Sequence, residues 1–466
     1  MRERLIVSLS FLFVFIDKSL VILYNILKIK YEMEKKMKVA FYTLGCKVNQ
    51  YETNVMIEKF VKQNNIIVNF NDIADVYIIN TCTVTNMSDR KSRQIIQRAK
   101  RLNPNCIIAV VGCLSQVAHD KLDAIAQIDL ILGNEEKKDI VRYIENFKKG
   151  NTAKVYVSDI MKQDKYIIEE VSAAYEKTRA VIKIQDGCNN YCSYCIIPYA
   201  RGKIRSKPFE AVMKEVKGIV NNGYKEIVLT GIHVCSYGKD LGNISLIELL
   251  ESLNSIEGLE RIRLSSLEPN IITNEFLERL VKLKKVCPHF HLSLQSGCDT
   301  ILKSMNRKYT TFDIENIITM IRERYEDANI TSDIIVGFPG ETDEDFESTY
   351  RFLKKIRLNK MHVFQYSKRE GTVAAKMDNQ VLPEKKQERS KLLITLSDDI
   401  GKEILSQYIG TTVEILTEEV EGEYTKGYTR NYLHVKLEGE RLSNEQVVCK
   451  VLDVQDNYLI CKEYSH

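Results

Sequence analysis

Three cysteines stand close together near the middle of the chain, at Cys188, Cys192 and Cys195. Their CxxxCxxC spacing allows three thiolates to converge on one side of a loop. A [4Fe–4S] cluster is normally held by four protein thiolates. Three thiolates leave one iron open, and a small molecule that chelates through an amino group and a carboxylate group fits that position. The spacing therefore predicts an iron–sulfur centre that does chemistry at its open iron.

A structural zinc site is the alternative for the same three residues. Such a site usually has four Cys or His ligands at short spacings. The next Cys or His residues in the sequence are His233 and Cys235, which lie about 40 residues further on and therefore not at a short spacing. The sequence therefore favours the iron–sulfur centre over zinc.

A second set of cysteines lies in the N-terminal part of the chain. Cys46, Cys82 and Cys113 each follow a predicted strand, whereas Cys106 precedes one. The carboxyl ends of parallel strands share one edge of a sheet, where α/β folds place their ligands. Buried structural cysteines are the ordinary alternative, but loop tips are poor places to bury a core residue. We therefore predict a second three-cysteine [4Fe–4S] cluster, whose open iron is available to carry sulfur.

The elements that must position these cysteines alternate between strand and helix. The N-terminal strands are predicted at Val39–Leu44, Asp75–Asn80, Ile107–Val111 and Asp129–Leu132. Their continuous apolar runs indicate a buried parallel sheet. Six further strands are predicted, with helices between them, at Ala180–Gln185, Glu226–Thr230, Arg261–Ser265, His289–Leu294, Thr331–Val336 and Met361–Tyr366. Six such units predict a partial (βα)6 barrel with its chemistry at the carboxyl ends of the strands.

The last part of the chain follows a different pattern. After about Lys402 the helical periodicity stops, and strands are predicted at Thr411–Thr417, Lys426–Leu437 and Gln446–Leu459. This predicts a small C-terminal all-β barrel. The predicted fold is therefore α/β throughout residues 37–402, with an N-terminal parallel-sheet domain at 37–150, a connector at 151–177, the partial barrel at 178–402 and the β module at 403–466.

The first 36 residues form a separate segment. Its apolar run Leu5–Ile16 is shorter than the roughly 18–20 residues that span a bilayer. We expect a dispensable extension or a misassigned start, with no stable membrane partner. The composition, 44% hydrophobic and 28% charged, fits a soluble globular protein. Twelve cysteines in 466 residues are too sparse for a disulfide scaffold, which predicts a reducing compartment, the cytoplasm.

The central motif, with the aromatic Tyr194 before its last cysteine and a barrel strand before its first, resembles the signature of radical S-adenosylmethionine (SAM) enzymes. The resemblance implies that Cys188, Cys192 and Cys195 hold the cluster that binds SAM. It also implies SAM contacts from residues beside the motif and at strand ends, although such glycines alone are usually ordinary turns. These residues are Tyr194, Thr230, Gly231, Gln295, Ser296, Gly297, Asp333 and Gly337.

Two three-cysteine sites in this order, followed by a β module, resemble the methylthiotransferase family from Met37 onward. The motifs 45–49, 81–86 and 196–202 look most like those of the bacterial threonylcarbamoyladenosine tRNA methylthiotransferases. This resemblance implies C–S bond formation at C2 of an adenine beside the anticodon, at position 37, that carries a threonylcarbamoyl group. One SAM would supply the radical that removes hydrogen, sulfur held at Cys46, Cys82 and Cys113 would attack, and a second SAM would donate the methyl group. An external reductant such as flavodoxin or ferredoxin is implied, and the sulfur donor is not identified.

The C-terminal module corresponds to that family's TRAM domain, which binds RNA. From Glu403 to His466 it has six Lys or Arg residues against twelve Asp or Glu residues, which by itself argues against a phosphate-binding surface. Every second residue of one predicted strand nevertheless gives a basic and aromatic face suited to RNA: Lys426, Tyr428, Arg430, Tyr432, His434 and Lys436. An exposed strand that only confers solubility is the alternative. Arg201 and Arg205, beside the central cysteine loop, are further predicted RNA contacts.

Two rival functions remain open from the sequence. The same chemistry could act on a side chain of a ribosomal protein. A non-enzymatic RNA-binding protein could use its clusters only to hold the domains together, but a purely structural cluster would normally be fully ligated by the protein.

Overall fold

The computed structural model of this chain describes residues 36–83, 86–148, 154–169, 178–242 and 244–464, and the side chains of 86–90 are excepted. The predicted extension 1–36, apart from its last residue, lies outside these ranges. So do residues 151–153 and 170–177 of the predicted connector. Within these ranges, we find no helix whose length and hydropathy would suit it to crossing a lipid bilayer.

The N-terminal part is a parallel sheet with helices on its faces. In the described residues its strands are β1 (Lys38–Thr43), β2 (Ile66–Val68), β3 (Val76–Thr81), β4 (Ile107–Gly112), β5 (Leu130–Leu132) and β6 (Val155–Tyr156), in the order β2-β1-β3-β4-β5-β6. The helices are α1 (Lys47–Lys62), α2 (Asn86–Leu102), α3 (Cys113–Asp123) and α4 (Ile140–Lys148). Every residue of β3 is buried, as expected of a strand covered on both faces. The four predicted strands are confirmed, and the short edge strands β2 and β6 were not predicted.

The central part contains the six parallel strands that the sequence predicts. In chain order its strands are β7 (Arg179–Asp186), β8 (Arg205–Ser206), β9 (Glu226–Gly231), β10 (Arg261–Leu264), β11 (His289–Gln295), β12 (Asn329–Val336) and β13 (Lys360–Gln365). They form one sheet of order β10-β9-β7-β8 and one of order β11-β12-β13. Parallel bridges from Ile262 to Val286 and from Leu267 to Leu292 connect the two sheets. Among the strands described here for residues 178–402, only β8 is antiparallel, and it pairs with β7.

Helices separate these strands and bury one apolar face against them. They are α5 (Ile197–Arg201), α6 (Phe209–Asn221), α7 (Leu246–Asn254), α8 (Asn274–Leu280), α9 (Asp299–Ser304), α10 (Thr311–Arg324), α11 (Asp343–Ile356) and α12 (Pro383–Ser406). Capping boxes at Thr310 and Thr342 begin α10 and α11, because each threonine and the acidic residue three positions later satisfy each other's backbone amides. Helix α12 runs four residues beyond the predicted boundary at 402.

The C-terminal part is a closed β-barrel. Within residues 403–464 its strands are β14 (Thr412–Glu421), β15 (Tyr424–Thr429), β16 (His434–Glu438), β17 (Gln446–Gln455) and β18 (Tyr458–Glu463). Two of the three predicted strands are therefore wrong in extent, because each is a pair of strands joined by a turn. Tyr432 in one turn, and Asp456 and Asn457 in the other, have positive φ angles. Asn and Asp tolerate that conformation better than most residues, which is why 446–459 can reverse direction without glycine.

Candidate active site

Cys46, Cys82 and Cys113 lie at one edge of the N-terminal sheet. Strands β1, β3 and β4 are neighbours, and Thr43 pairs with Asn80 while Thr81 pairs with Gly112. The cysteines follow these paired ends directly. Cys46 caps α1 and Cys113 begins α3. Cys106, by contrast, precedes β4 and is buried at the opposite edge. The structure thus brings together the three cysteines that the sequence predicts as one site, which we call the auxiliary site.

The loop of Cys46 lies directly against Cys82. Gly45 has φ +106°, and a Cβ atom added there would lie 2.8 Å from the Cβ of Cys82. Asn49 Nδ2 donates hydrogen bonds to the carbonyl oxygens of Leu44, at 2.7 Å, and Thr81, at 3.0 Å. Backbone groups of both loops are therefore fixed by one buried amide. This explains why residues 36 positions apart can contribute to one site.

Cys188, Cys192 and Cys195 share the loop after β7, which we call the SAM loop. The Cys188 amide donates to the Gly202 carbonyl at 3.1 Å, and the Cys195 amide donates to the Cys192 carbonyl at 2.9 Å. Burial raises the pKa of Cys188 to about 11 and that of Cys195 to about 12, and the neighbouring Cys192 sulfur adds to both increases. Arg307 Nη1 donates to the Cys192 sulfur at 3.2 Å. The loop therefore presents three close thiols beside one cation.

A buried polar network that the sequence reasoning missed supports the SAM loop. The Glu268 carboxylate accepts hydrogen bonds from Asn190 and His233, both at 2.5 Å, and lies 3.2 Å from Arg307. Burial opposes ionisation, but His233 and Arg307 together hold the pKa of Glu268 below its usual value. A weak sequence indication was available, because His233 and Glu268 come just after β9 and β10, on the edge where barrels place their chemistry.

The same network argues against a zinc site. His233 uses both ring nitrogens, with Ser236 and Glu268 each at 2.5 Å. The sulfur of Cys235 is buried and accepts a hydrogen bond from the Glu268 amide at 3.1 Å. Neither of the nearest candidates is therefore available as a fourth ligand to the three cysteines of the SAM loop.

The predicted SAM contacts fall into two groups in the structure. Thr230 and Gly231 line a large cavity, Gln295 ends β11 with φ +70°, and half-buried Tyr194 lies within the SAM loop. Asp333 Oδ2 lies 3.3 Å from the Nε2 atom of His291, which lines the same cavity. Thr230 and Gly231 therefore line the cavity directly, and contact of these five residues with SAM stays a prediction.

The second group packs against helices. Ser296 is fully buried, and its hydroxyl lies 3.3 Å from that of Thr349 on α11. A Cβ atom at Gly297 would lie 2.8 Å from Phe352 on the same helix. Gly337 has φ +69° and lies under the side chain of Lys386 on α12. The structure therefore gives these three residues roles in helix packing, and their contact with SAM stays a prediction.

The cavity extends between the auxiliary site and the interior of the partial barrel. Its volume is about 900 Å³. Cys46 lines it from the auxiliary site, Thr230 and Ser265 from the carboxyl-terminal part of the barrel, and Tyr432 and Tyr458 from the C-terminal barrel. All three parts of the chain thus contribute to one chamber that reaches a cysteine.

Arg201 connects the two cysteine sites. It ends α5, directly after the SAM loop, and is fully buried. Its Nε donates to the sulfur of Cys113 at 3.1 Å, and its Nη2 donates to Asn49 Oδ1 at 2.7 Å. Arg205 is also buried and donates to the Arg201 carbonyl at 2.9 Å. The prediction that Arg201 and Arg205 contact RNA is therefore wrong, because both face the protein interior.

Glu52 is the central anion of the cluster that holds Arg201. It accepts from Arg201 Nη1 at 2.5 Å and from Lys183 at 2.7 Å, and it also pairs with Lys137. Burial opposes ionisation of Glu52, but the Arg201 charge and the two lysines hold its pKa well below the usual value. Burial, together with the Arg201 and Lys183 charges, lowers the pKa of Lys137 to about 8.

The basic and aromatic face predicted to bind RNA lies partly against the barrel. Tyr428 and Tyr432 stack with ring centroids 4.7 Å apart. The Arg179 guanidinium lies 4.5 Å from the Tyr428 ring, and that of Arg263 lies 4.4 Å from the Tyr432 ring. Arg430 donates to the carbonyl of Lys284. These three predicted RNA contacts therefore have protein partners at the domain interface.

The remaining three predicted RNA contacts have neighbours on the C-terminal barrel itself, and the ring of His434 lies 4.7 Å from that of Tyr428. His434 is exposed. Lys436 lies over the ring of Tyr458, with Nζ 4.8 Å from its centroid, and Lys426 pairs with Glu421 at 2.8 Å. Contact of these three residues with RNA stays a prediction.

The donor atoms of the two cysteine sites suit iron–sulfur clusters. Within the described ranges, no three Cys, His, Asp or Glu side chains are arranged to bind one common metal ion. A [4Fe–4S] cluster does not require this, because each thiolate binds a different iron. Both sites offer sulfur ligands, and each has an arginine that donates to one sulfur. Such hydrogen bonds are among the features that tune protein-bound clusters.

Comparisons with known proteins agree with this arrangement. Residues 182–353 match the family model of the Radical SAM superfamily, and residues 38–133 match Uncharacterized protein family UPF0004. The chain is 44% identical to threonylcarbamoyladenosine tRNA methylthiotransferase MtaB of Bacillus subtilis over 90% of this chain and 93% of that protein. It is 36% identical to tRNA-2-methylthio-N(6)-dimethylallyladenosine synthase of Acetivibrio thermocellus over 85% and 83%.

A solved structure shares the fold at low sequence identity. It is the radical S-adenosylmethionine methyltransferase TsrM from Kitasatospora setae, with a TM-score of 0.55 and 14% identity, covering 73% of this chain and 77% of that chain. That structure contains cobalamin and a [4Fe–4S] cluster. At this identity the likeness concerns the fold alone.

Proposed function

The chain belongs to the radical SAM methylthiotransferases, and from this premise we propose that it converts N6-threonylcarbamoyladenosine at position 37 of tRNA to its 2-methylthio derivative. The observation that carries the proposal is a chamber that reaches Cys46 of the auxiliary site and strand ends of the partial barrel, together with a buried arginine that follows the SAM loop and donates to Cys113. The choice of nucleoside follows the more similar relative, at 44% identity against 36% for the dimethylallyladenosine enzyme.

The cofactors are two [4Fe–4S] clusters and SAM. We assign Cys188, Cys192 and Cys195 to the cluster that binds SAM, and Cys46, Cys82 and Cys113 to the auxiliary cluster. When bound, these groups supply the electron, the 5′-deoxyadenosyl radical, the sulfur and the methyl group. An aromatic C–H bond has no useful acid–base handle, which is why side chains alone cannot activate C2.

The chain's own residues position these groups. Glu268 fixes the SAM loop from the barrel side by accepting a hydrogen bond from Asn190 of that loop, and Arg307 donates to one of its sulfurs. Asn49 fixes the auxiliary loops. In this division of roles, residues 37–150 hold the auxiliary cluster, 178–402 cleave SAM, and 403–466 contact RNA, with 151–177 as connector.

The substrate tRNA is the main partner in this proposal. Its anticodon loop would present the nucleoside to the chamber, and Lys426, His434 and Lys436 remain available on the C-terminal barrel to approach phosphates. A small acidic electron carrier such as flavodoxin or ferredoxin would reduce the SAM-binding cluster. Such a reaction belongs in the cytoplasm, where tRNA and these reductants are present.

The test is mass spectrometry of tRNA nucleosides from a strain that lacks this gene. We expect the 2-methylthio derivative to disappear and the threonylcarbamoyl precursor to accumulate. Wild-type protein should restore the product, whereas Cys192→Ala and Cys82→Ala should not. Cys106→Ala is the matched control and should restore it, because that buried cysteine lies at the opposite edge of the sheet.

Two outcomes would contradict this proposal. An unchanged nucleoside profile in the deletion strain, with no second such enzyme present, would remove tRNA as the substrate. A comparison of tRNA and ribosomal protein as methylthio acceptors in vitro would then decide the rival reaction. Full rescue by Cys82→Ala would instead show that the auxiliary site is not required.

A further inference from the structure

The buried charges between the two cysteine sites do not balance. Among the described side chains of this cluster, the anions are Glu52 and Asp186. The cations that pair with them, at nitrogen–oxygen distances of up to 3.9 Å, are Lys137, Lys183, Arg201 and Arg205. Four cations against two anions leave an excess of two positive charges. An uncompensated buried charge is costly, so a further anion is expected next to this cluster.

The geometry indicates where that anion lies. Arg201 donates to Glu52 from both Nη1 and Nη2, donates from Nη2 to Asn49 as well, and directs its Nε to the sulfur of Cys113 at 3.1 Å. A neutral thiol offers this fully buried guanidinium little electrostatic compensation. A thiolate that is part of a negatively charged three-cysteine cluster compensates it well.

The same charged residues lie on the elements that carry both sites. Glu52 lies on α1, which begins after Cys46. Lys183 and Asp186 belong to β7, which leads into the SAM loop. Arg201 ends α5, which follows Cys195. The cluster therefore fixes the auxiliary site against the SAM loop.

We propose that Arg201 is a positioning residue that couples the two sites, and that its charge and its N–H···S hydrogen bond raise the reduction potential of the auxiliary cluster. The inference rests on the proposed function, because it takes that cluster as bound at Cys46, Cys82 and Cys113. Reduction adds negative charge to the cluster. A positive charge and a donated hydrogen bond stabilise that added charge.

The test is an EPR-monitored redox titration of the full-length chain that carries only the auxiliary cluster. The substitutions Cys188→Ala, Cys192→Ala and Cys195→Ala provide this background. We expect Arg201→Gln to lower the potential most, because it removes the charge. Arg201→Lys should lower it less, because it keeps the charge but loses the directed Nε bond. Glu52→Gln should raise it, because it removes an anion that opposes the arginine.

Arg307→Gln is the matched control, since Arg307 donates to Cys192 instead. It should leave the auxiliary potential unchanged. In the complementary background, with Cys46→Ala, Cys82→Ala and Cys113→Ala, it should lower the potential of the SAM-binding cluster, and Arg201→Gln should not. Iron content and circular dichroism identify any variant that has lost its fold. If Arg201→Gln has lost its fold, the reduction potential of Arg201→Lys tests the expected decrease.

The outcomes separate this inference from the function on which it rests. Equal auxiliary potentials for wild type, Arg201→Lys and Glu52→Gln, at equal iron content, would overturn the role of Arg201. An auxiliary-only chain with wild-type Arg201 that binds no iron would instead overturn the assignment of the auxiliary cluster.

Discussion

The two cysteine sites hold chemically equivalent ligands but are constructed differently. The SAM loop brings Cys188, Cys192 and Cys195 together within one short segment, closed by its own backbone hydrogen bonds. The auxiliary site collects Cys46, Cys82 and Cys113 from the ends of three neighbouring strands. The first is local in sequence, and the second exists only when the sheet has formed. We therefore expect the auxiliary site to be the more sensitive to changes elsewhere in the fold.

Removal of one ligand from each site should give the largest effects. Cys192→Ala should abolish both SAM cleavage and methylthiolation, whereas Cys82→Ala should abolish methylthiolation and leave SAM cleavage. Each of these activities should fall by more than roughly 100-fold, which is the upper range for loss of a residue that only supports a metal ligand. Quantification of 5′-deoxyadenosine and of the modified nucleoside, with reduced protein and tRNA, checks both. Equal loss of SAM cleavage in the two variants would contradict the separation of roles.

Loss of the central buried anion should weaken the auxiliary site through the fold. Glu52→Gln leaves Arg201, Lys137 and Lys183 without their shared partner and should lower the free energy of unfolding by about 3–5 kcal/mol. Chemical denaturation followed by circular dichroism measures this. The control is Glu315→Gln, which breaks a surface pair with Lys355 and should cost only about 0–1 kcal/mol. Similar losses in both variants would show that the buried cluster is not stabilising.

A methyl group at Gly45 should disturb the auxiliary site and leave the SAM loop intact. Gly45→Ala combines a positive φ with a contact 2.8 Å from Cys82, and such strain costs about 1–3 kcal/mol. We expect it to lower the iron bound at the auxiliary site. Gly410→Ala is the matched control, because Gly410 has φ +85° and a Cβ atom added there would have no neighbouring side chain or backbone within 4 Å. If both variants retain full iron content, the close approach of Gly45 to Cys82 is not required for the auxiliary site to bind its cluster.

Loss of the hydrogen bonds of one polar side chain in each site should give the smallest effects and the most direct comparison. Ser193→Ala removes a bond of 2.8 Å to the Ser304 carbonyl in the SAM loop. Asn80→Ala removes one of 2.9 Å to the Asn49 carbonyl and one of 3.1 Å to the Thr53 hydroxyl in the auxiliary site. Each bond contributes about 0.5–1.5 kcal/mol, but iron retention under a chelator should fall more for Asn80→Ala. Greater loss for Ser193→Ala would reverse the expected order of the two sites.

The difference between the sites also explains what the sequence could predict. The spacing of the SAM loop is visible in eight consecutive positions, and the six barrel strands follow from apolar runs between helices. The auxiliary site required one further step, that parallel strands share an edge. That step correctly placed Cys46, Cys82 and Cys113 together, and it correctly placed Cys106 at the opposite edge.

Contacts between distant residues were beyond that reasoning. Arg201 was predicted to bind RNA because a basic residue beside a reactive loop is typically exposed, but its partner Glu52 lies 149 positions earlier. A partial indication was present in α1, where Asn49 and Glu52 are three residues apart and therefore share a face. The C-terminal hairpins were missed for a related reason. Residues on both sides of the turn near Tyr432 keep the alternation of buried and exposed positions, so period two alone could not locate the reversal.

The contacts of Tyr428 and Tyr432 with Arg179 and Arg263 fix the distance between the C-terminal barrel and the SAM loop. Arg179 is the first residue of β7, whereas the SAM loop follows the carboxyl end of that strand. Strand β7 has 8 residues, so at 3.3 Å per residue the two ends are separated by about 26 Å. We expect an RNA held by the C-terminal barrel to place one nucleotide at the chamber. The enzyme would then select that nucleotide by its distance along the folded RNA as well as by its chemical identity.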